Sequence, residues 1–188
     1  MTLANDTTLS WLILGIFVDT NNTLYALARN CQEIQIWPEG SVIPSRTLNP
    51  INTWARSIFV TNNGDIYVDD ASSPNNVYRW IANAGTQVVV MVVPNSCFGL
   101  LIDVREKIYC SAGYLHNAVR KSFMDPINVT TVIARNGMAG SALNQLDVPQ
   151  GLFVDFDLNL YVADRDNHRI QKFLLARNTC SEYDIAQV

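Results

Sequence analysis

An all-β architecture of repeated antiparallel units is expected from three features of the sequence. Short apolar runs rich in Val, Ile and aromatic residues alternate with turns that carry Asp, Asn and Gly. Four tyrosines follow one another at steps of 42, 42 and 52 residues, namely Tyr25, Tyr67, Tyr109 and Tyr161. Each tyrosine lies in the second apolar run of a group of three. One structural unit therefore recurs four times along the 188 residues.

The clearest unit is residues 151–173, which predicts a three-stranded meander. Its apolar runs are 151–155, 160–164 and 170–173, and each has the length of a strand rather than of a helix. The intervening segments 156–159 and 165–169 carry Asp and Asn, which tolerate turn geometry. Because neighbouring positions in the first two runs are both apolar, we expect other sheets to cover both faces.

The same pattern is visible upstream. The first strand recurs at 15–19, 57–61 and 99–103, and the third at 34–37, 77–80 and 119–122. Asn63-Gly64 is a strong hairpin signal, because both central residues of a type I′ turn need positive φ. A fourth, outer strand is expected at Gln87–Val93 and again at Val129–Ala134. The former would favour aggregation on an open edge, so we expect the next unit to cover it.

A period of about 40 to 50 residues built from strands alone is typical of β-propeller blades. The blades are expected at about 15–56, 57–97, 98–150 and 151–188, after an N-terminal extension at 1–14. A closed ring of five or six blades, at ~45 residues each, would need more than about 200 residues. We therefore expect a fragment of a propeller, or an open arc that exposes a sheet face at one end or both.

The fourth unit resembles the NHL repeat. The resemblance rests on Gly151-Leu-Phe-Val-Asp155, Leu160-Tyr-Val-Ala-Asp164 and Asn167-His-Arg-Ile-Gln171, with a linker-like lead-in at 136–140 and 146–149. The other three units match mainly through spacing and their first two strands, since residues 31–33, 74–76 and 116–118 depart from the triplet. The resemblance implies a propeller, commonly of five or six blades. The family includes ubiquitin-ligase tails, RNA binders, secreted proteins and an amidating lyase, so function must be argued from sites.

Composition and charge narrow the function classes. With 48% hydrophobic residues the chain can build one substantial core. The 13 Lys and Arg are scattered among 17 Asp and Glu, for a net charge of −4, which disfavours nucleic-acid binding. Arg165, Arg169 and Lys172 come nearest to a basic patch and are expected to be solvated turn residues. The apolar run from Trp11 to Val18 is too short to span a membrane and lacks the basic start of a signal peptide, so we expect a strand extension.

The four cysteines are Cys31, Cys97, Cys110 and Cys180, and no Cys-x-x-Cys spacing indicates a zinc site. Cys97 and Cys110 flank the first hairpin of the third unit, either as a disulfide or as two buried thiols. Counted from the turn at 104–107, they are out of register by about three residues. This places their Cα atoms about 10 Å apart, beyond the usual disulfide range of about 7 Å unless a bulge intervenes.

Three triplets are glycosylation sequons, beginning at Asn5, Asn21 and Asn128. Such triplets also arise by chance in a chain rich in Asn and Thr. Asn21 is the most persuasive, because it is expected in an exposed hairpin turn.

Catalytic and metal-binding signatures are weak. His116 and His168 both fall in turns and are expected to be structural, and two turn histidines do not supply the metal site of an amidating lyase. Asp19, Asp103 and Asp155 recur at the end of the first strand. Lactonase-like propellers hold Ca²⁺ with such carboxylates, but recurrence in nearly every unit favours hairpin geometry over one calcium site. Gly-x-Ser-x-Gly, phosphate-loop and His-Glu-x-x-His motifs are absent from the sequence.

The function that the sequence favours is a non-enzymatic interaction module that binds a protein, peptide or glycan through blade-top turns. An extracellular or cell-surface setting is expected, with the cytoplasm as the alternative, and no cofactor is expected. The candidate contact residues are His116, Asn117, Arg165, Asp166, Asn167, His168 and Arg169. The alternative function is a metal-dependent hydrolase or lyase of the lactonase or amidating-lyase type.

Overall fold

A computed structural model of the chain describes residues 12–28, 32–49, 54–71, 75–82, 84–93, 95–115, 117–122, 130–134, 138–174 and 185–187. At 115, 117–122, 134 and 185–187 only the backbone is described. Sixteen strands and two short 310-helices are formed within these ranges. None of their helices has the length and apolar character needed to cross a bilayer.

The strands form four sheets of four strands, and hydrogen bonding within each sheet follows chain order. Sheet 1 contains β1 (Ile13–Val18), β2 (Leu24–Ala28), β3 (Glu33–Trp37) and β4 (Arg46–Leu48). Sheet 2 contains β5 (Ile58–Val60), β6 (Ile66–Asp70), β7 (Asn75–Trp80) and β8 (Gln87–Val93). Sheet 3 contains β9 (Cys97–Ile102), β10 (Lys107–Ala112), β11 (Asn117–Ser122) and β12 (Thr131–Ala134), and sheet 4 contains β13 (Pro149–Val154), β14 (Asn159–Asp164), β15 (Arg169–Leu174) and β16 (Ile185–Gln187).

This arrangement confirms the repeated four-stranded unit that the sequence predicts. The expected outer strand Gln87–Val93 is β8 with identical bounds. The equivalence of the tyrosines is also confirmed, because each pairs with the second-to-last residue of a first strand: Phe17↔Tyr25, Phe59↔Tyr67, Leu101↔Tyr109 and Phe153↔Tyr161.

The chain divides into two compact units, Met1–Val90 and Met91–Val188, and the division falls within β8. In the first unit a core lies between sheets 1 and 2. Sheet 1 contributes Tyr25, Leu27, Ile34 and Ile36, and sheet 2 contributes Ile58, Val60, Ile66, Val68 and Trp80. Alternate residues of a strand point to opposite faces, so these sets define the facing sides of the two sheets.

In the second unit an equivalent core lies between sheets 3 and 4. It contains Tyr109, Ile133, Leu146, Leu160, Val162 and Phe173. A glycine is required where β9 passes close to the backbone of β13. A Cβ atom at Gly99 would collide with the backbone carbonyl of Gln150 on β13.

The first hairpin of sheets 1, 3 and 4 is fixed by one aspartate. In sheet 3, Asp103 accepts hydrogen bonds from the backbone amides of Arg105 and Lys107 at 2.8 and 2.9 Å, and the hydroxyl of Tyr109 donates to its other oxygen at 2.8 Å. Asp19 binds Tyr25 in the same way and Asp155 binds Tyr161. Hairpin geometry therefore accounts for the recurring aspartate.

Sheet 2 holds its first hairpin differently, because Thr61 stands where the other sheets carry the aspartate. Asp65 accepts instead from the backbone amide of Ala82 at 2.7 Å and from Nε of Arg79 at 2.8 Å. Burial raises the pKa of Asp65, but these hydrogen bonds outweigh it and hold the pKa below its ordinary value.

Cys97 and Cys110 form a disulfide, with Cα atoms 5.2 Å apart. The separation of about 10 Å expected for a hairpin without a bulge does not apply, because β9 and β10 do not keep one register. Cys110 pairs with Leu100, and after an irregularity between Ser111 and Ala112 it is Ala112 that pairs with Cys97. The bulge brings the two cysteines within bonding reach.

Removal of this disulfide is expected to lower the free energy of unfolding by about 3 kcal/mol, the value for a closed loop of about 15 residues. The sequence separation here is 13 residues. Urea unfolding of the wild type should be compared with that of the Cys97→Ala, Cys110→Ala double variant. A reductant should destabilise the wild type and leave the double variant, which still contains Cys31 and Cys180, unchanged. Equal stability of the two proteins under oxidising conditions would contradict the expectation.

The expectation that sheets cover both faces of the 151–173 unit was wrong for sheet 4. One face forms the core with sheet 3, whereas Phe153 and Ile170 on the other face are 60% and 48% exposed. A run of apolar residues reflects what a repeated unit buries on average. It does not report whether another unit covers this particular copy.

Candidate functional site

The turn between β14 and β15 contains most of the contact residues proposed from sequence. β14 ends at Asp164, and a 310-helix follows at Arg165–Asn167. His168 ends this helix in the left-handed region, with φ of 52°, and its backbone amide donates to the carbonyl of Arg165 at 3.1 Å. The turn therefore has a defined backbone conformation.

Asp164 is the centre of a hydrogen-bond network beneath this turn. Its side chain is fully buried. Oδ1 accepts from the backbone amide of Asp147 at 2.6 Å, and Oδ2 accepts from Nδ2 of Asn167 and Nε of Arg169, both at 2.8 Å. One carboxylate thus joins the end of β14, the turn and the segment that leads into sheet 4.

Asn167, Arg169 and Gln171 extend the network to the carbonyl groups of the lead-in segment 138–147. Nδ2 of Asn167 donates to the carbonyl of Gly140 at 2.7 Å. The guanidinium of Arg169 donates to the carbonyls of Ser141, Ala142 and Gln145 at 2.7 to 2.9 Å. Gln171, which is fully buried, donates to the carbonyl of Leu143 at 3.1 Å. These side chains fasten the lead-in segment to sheet 4.

The candidate contact residues therefore separate into two groups. Asn167 and Arg169 face inward and hold the lead-in segment, as described above. Arg165, Asp166 and His168 are exposed. Nε of Arg165 donates to Asp166 at 2.6 Å, and this hydrogen bond raises the pKa of the guanidinium.

Two of the candidate contact residues, His116 and Asn117, lie outside the turn between β14 and β15. His116 lies outside the described residues, and Asn117 is described by its backbone as the first residue of β11. Asp164 and Gln171, which are also part of this network, were not among the candidates predicted from the sequence. The ion pair between Asp164 and Arg169 could have been predicted, because an aspartate at the end of one predicted strand precedes by five residues an arginine directly before the next. Nothing in the sequence points to the carbonyl groups of 140–145 as their partners.

Asp69 forms a second polar centre, in the first unit. It is 1% exposed, and Oδ1 accepts from the backbone amides of Arg56 and Ser57, both at 2.7 Å. Ser111 serves the same role in sheet 3, where its hydroxyl accepts from the amide of Gly99 at 2.7 Å. Burial, with a smaller contribution from Asp70, raises the pKa of Asp69 to about 7, although the two amides and Arg56 act in the opposite direction.

An open groove of about 570 Å³ lies in the first unit. Its lining is mainly polar and comprises Glu33, Thr47, Leu48, Asn49, Trp80, Gly85 and Gln87. These residues come from β3, β4 and the residue that follows it, the end of β7, and the start of β8 with the turn before it. Sequence reasoning had no signal for this groove, because folding assembles it from separate strands.

Metal-binding clusters are not seen in the described part of the chain. No group of three or more His, Cys, Asp or Glu side chains there could hold a metal ion. Asp19, Asp103 and Asp155, considered above as calcium ligands, each serve their own hairpin.

Comparison with known proteins places the fold. No curated protein sequence matches the chain significantly. Among solved structures, selenomethionine-substituted virginiamycin B lyase from Staphylococcus aureus is similar with a TM-score of 0.67 and 13% identity, over 93% of this chain and 54% of that one. The catalytically inactive H270A form of virginiamycin B lyase from the same organism, solved with quinupristin, is similar with a TM-score of 0.72 and 12% identity, over 98% of this chain and 58% of that one. A streptogramin B lyase structure is similar with a TM-score of 0.69 and 10% identity, over 94% of this chain and 54% of that one.

The chain thus spans little more than half the length of these propeller enzymes, and at 10 to 13% identity the likeness concerns the fold. Residues 146–173 match the NHL repeat family. This segment contains Asp147, Asp164, Asn167, Arg169 and Gln171, five residues of the network that fastens the lead-in segment. The chain is therefore a protein of the β-propeller fold that carries an NHL repeat at residues 146–173.

Proposed function

We propose that this chain is a non-enzymatic interaction module that binds a protein, peptide or glycan through exposed turns such as 165–168. The proposal is supported by the turn between β14 and β15, where some side chains hold the backbone in place and others face solvent. Asp164, Asn167 and Arg169 fix the backbone from below, so Arg165, Asp166 and His168 are presented to solvent on a rigid support. Preorganised side chains lose little conformational entropy on binding.

The chemistry of the exposed side chains favours a polar partner. Arg165 and Asp166 offer a donor and an acceptor side by side. His168 adds a ring that can stack or hydrogen-bond. Such a mixed set suits the polar rim of a protein interface or the hydroxyl groups of a glycan.

An extracellular setting is part of this proposal. The disulfide between Cys97 and Cys110 is the kind of bond that persists in oxidising compartments. Asn21 is exposed in the turn between β1 and β2, as a glycosylation site requires, while Asn5 and Asn128 lie outside the described residues.

Replacement of Arg165, Asp166 and His168 by alanine is expected to abolish binding without unfolding the protein, because all three are exposed. The measurement is affinity capture of extracellular proteins and probing of a glycan array, with the immobilised wild type and variant side by side. A matched control carries Arg105→Ala and Glu106→Ala, which remove exposed charges from a first-hairpin turn. A ligand retained by the triple variant, or lost in the control, would refute the assignment to this turn.

A lyase activity is the second candidate, favoured by the structural likeness to virginiamycin B lyase. Incubation with quinupristin, followed by mass spectrometry, tests it directly. Conversion of the substrate that His168→Ala abolishes would support a lyase and contradict the non-enzymatic proposal. Unchanged quinupristin would remove this candidate activity.

A further inference from the structure

Sheet 4 has an open face whose composition is that of a buried surface. We call this the trailing face and define it by Phe153, Tyr161, Ala163, Ile170 and Lys172. These residues alternate with Leu152, Leu160, Val162 and Phe173, which belong to the core with sheet 3. Phe153 is 60% exposed and Ile170 is 48% exposed.

The equivalent face of sheet 1 is covered. Tyr25, Leu27 and Ile34 stand at the positions of Tyr161, Ala163 and Ile170, as the pairings Leu27↔Ile34 and Ala163↔Ile170 show. Their exposed fractions are 8%, 1% and 0%. The side chains that cover them from sheet 2 include Ile58 and Val60 of β5, which are 6% and 3% exposed.

β1 carries the same Ile-Phe-Val sequence as β5, but its corresponding side chains are uncovered. Ile16 and Val18 are 66% and 54% exposed, in contrast to Ile58 and Val60. We call Leu14, Ile16 and Val18 the leading face. The exposed region is confined to β1, because Ala26 and Gln35 of the same side of sheet 1 are buried.

We propose that two copies of this chain associate head to tail, with the leading face of one copy packed on the trailing face of the other. Ile16 and Val18 of the second copy would take the place against Tyr161 and Ile170 that Ile58 and Val60 take against Tyr25 and Ile34. The contact is heterologous, because it joins two different surfaces.

The junction between sheets 1 and 2 shows why the two surfaces are compatible. A Cβ atom at Gly15 would come within 3.1 Å of Ile58, so a glycine lets β5 approach closely. Gly151 holds the same position on the trailing face, and a Cβ built there meets only Ala163, at 3.8 Å. Phe17 and Phe59 stack edge to face with ring centroids 5.0 Å apart, and Phe153 is exposed at the position of Phe17.

The experiment is sedimentation velocity across a dilution series of the 188-residue chain, with single variants that place a charge on each face. Ile16→Glu alters the leading face and Ile170→Glu the trailing face. Val104→Glu is the matched control, since Val104 is 76% exposed in the turn between β9 and β10. Circular dichroism melting establishes that each variant is folded.

The wild type and the Val104→Glu control are expected to associate, and each face variant alone is expected to be monomeric. A mixture of the two face variants should form a heterodimer, because the mixture restores one intact pair of faces. That complementation cannot arise from a variant that merely misfolds. A wild type that stays monomeric at every concentration, face variants that still associate, or a mixture that fails to complement would each overturn the proposal.

Discussion

Replacement of Asp164 by alanine is expected to lower the free energy of unfolding by about 3–5 kcal/mol, the usual cost of breaking a buried ion pair from one side. The carboxylate is fully buried and lies 2.8 Å from Nε of Arg169, which is itself 14% exposed. The variant leaves the amide of Asp147, the amide group of Asn167 and Nε of Arg169 without this acceptor. The measurement is the free energy of unfolding of the full chain from chemical denaturation.

Asp166→Asn is the matched control for this prediction. Asp166 pairs with Arg165 at 2.6 Å, but both side chains are well exposed, and exposed pairs contribute little to stability. Hydrogen exchange adds a local readout, because the amide of Asp147 should lose protection in the Asp164 variant and keep it in the control. Equal stability of the two variants would show that the network does not hold the lead-in segment.

Asp69 is expected to make the first unit less stable as pH rises from about 4 to about 7. Its pKa is raised in the folded protein from 3.8 to about 7, mainly by burial, so the folded state holds a proton that the unfolded state releases in this window. The stabilisation by Asp69 is fully present below the pKa of the unfolded state and is lost as the pH rises through the pKa of the folded state. At about 1.4 kcal/mol per pH unit, the accumulated loss is about 4 kcal/mol.

Urea unfolding of the wild type and of Asp69→Asn at a series of pH values tests this expectation. The asparagine keeps an oxygen for the amides of Arg56 and Ser57 and cannot ionise. Its stability should therefore be flat between pH 4 and pH 7 where that of the wild type declines. Asp19, Asp65 and Asp155 have lowered pKa values, so their contributions are lost only at more acidic pH. A decline of the same size in both proteins would exclude Asp69 as its source.

Local patterns predicted the repeated unit well because its causes are local. The tyrosine spacing identified four equivalent strands, and the aspartate before each hairpin in sheets 1, 3 and 4 bonds to backbone amides two to four residues away. Interactions of this range follow from sequence alone. The Cys97–Cys110 pair was harder, because a single bulged residue in β9 changed the expected distance.

The candidate site was predicted only in outline. The sequence located the turn at 165–169, but it could not separate Arg169, which donates to carbonyls 24 to 28 residues away, from Arg165, which faces solvent. Those carbonyls are backbone atoms of residues whose side chains give no sign of the contact. Only the folded structure determines which arginine donates to these carbonyls.

The sequence by itself determined the four-stranded unit, its hairpins and the apolar character of its faces, because strand periodicity and turn chemistry act within a few residues. Only the tertiary structure decided which faces are covered. Ile16 and Ile58 are each followed by Phe and Val in sequence, yet one is 66% exposed and the other 6%. The physical reason is that burial depends on the sheet that packs against a residue, which for Ile58 is a separate part of the chain.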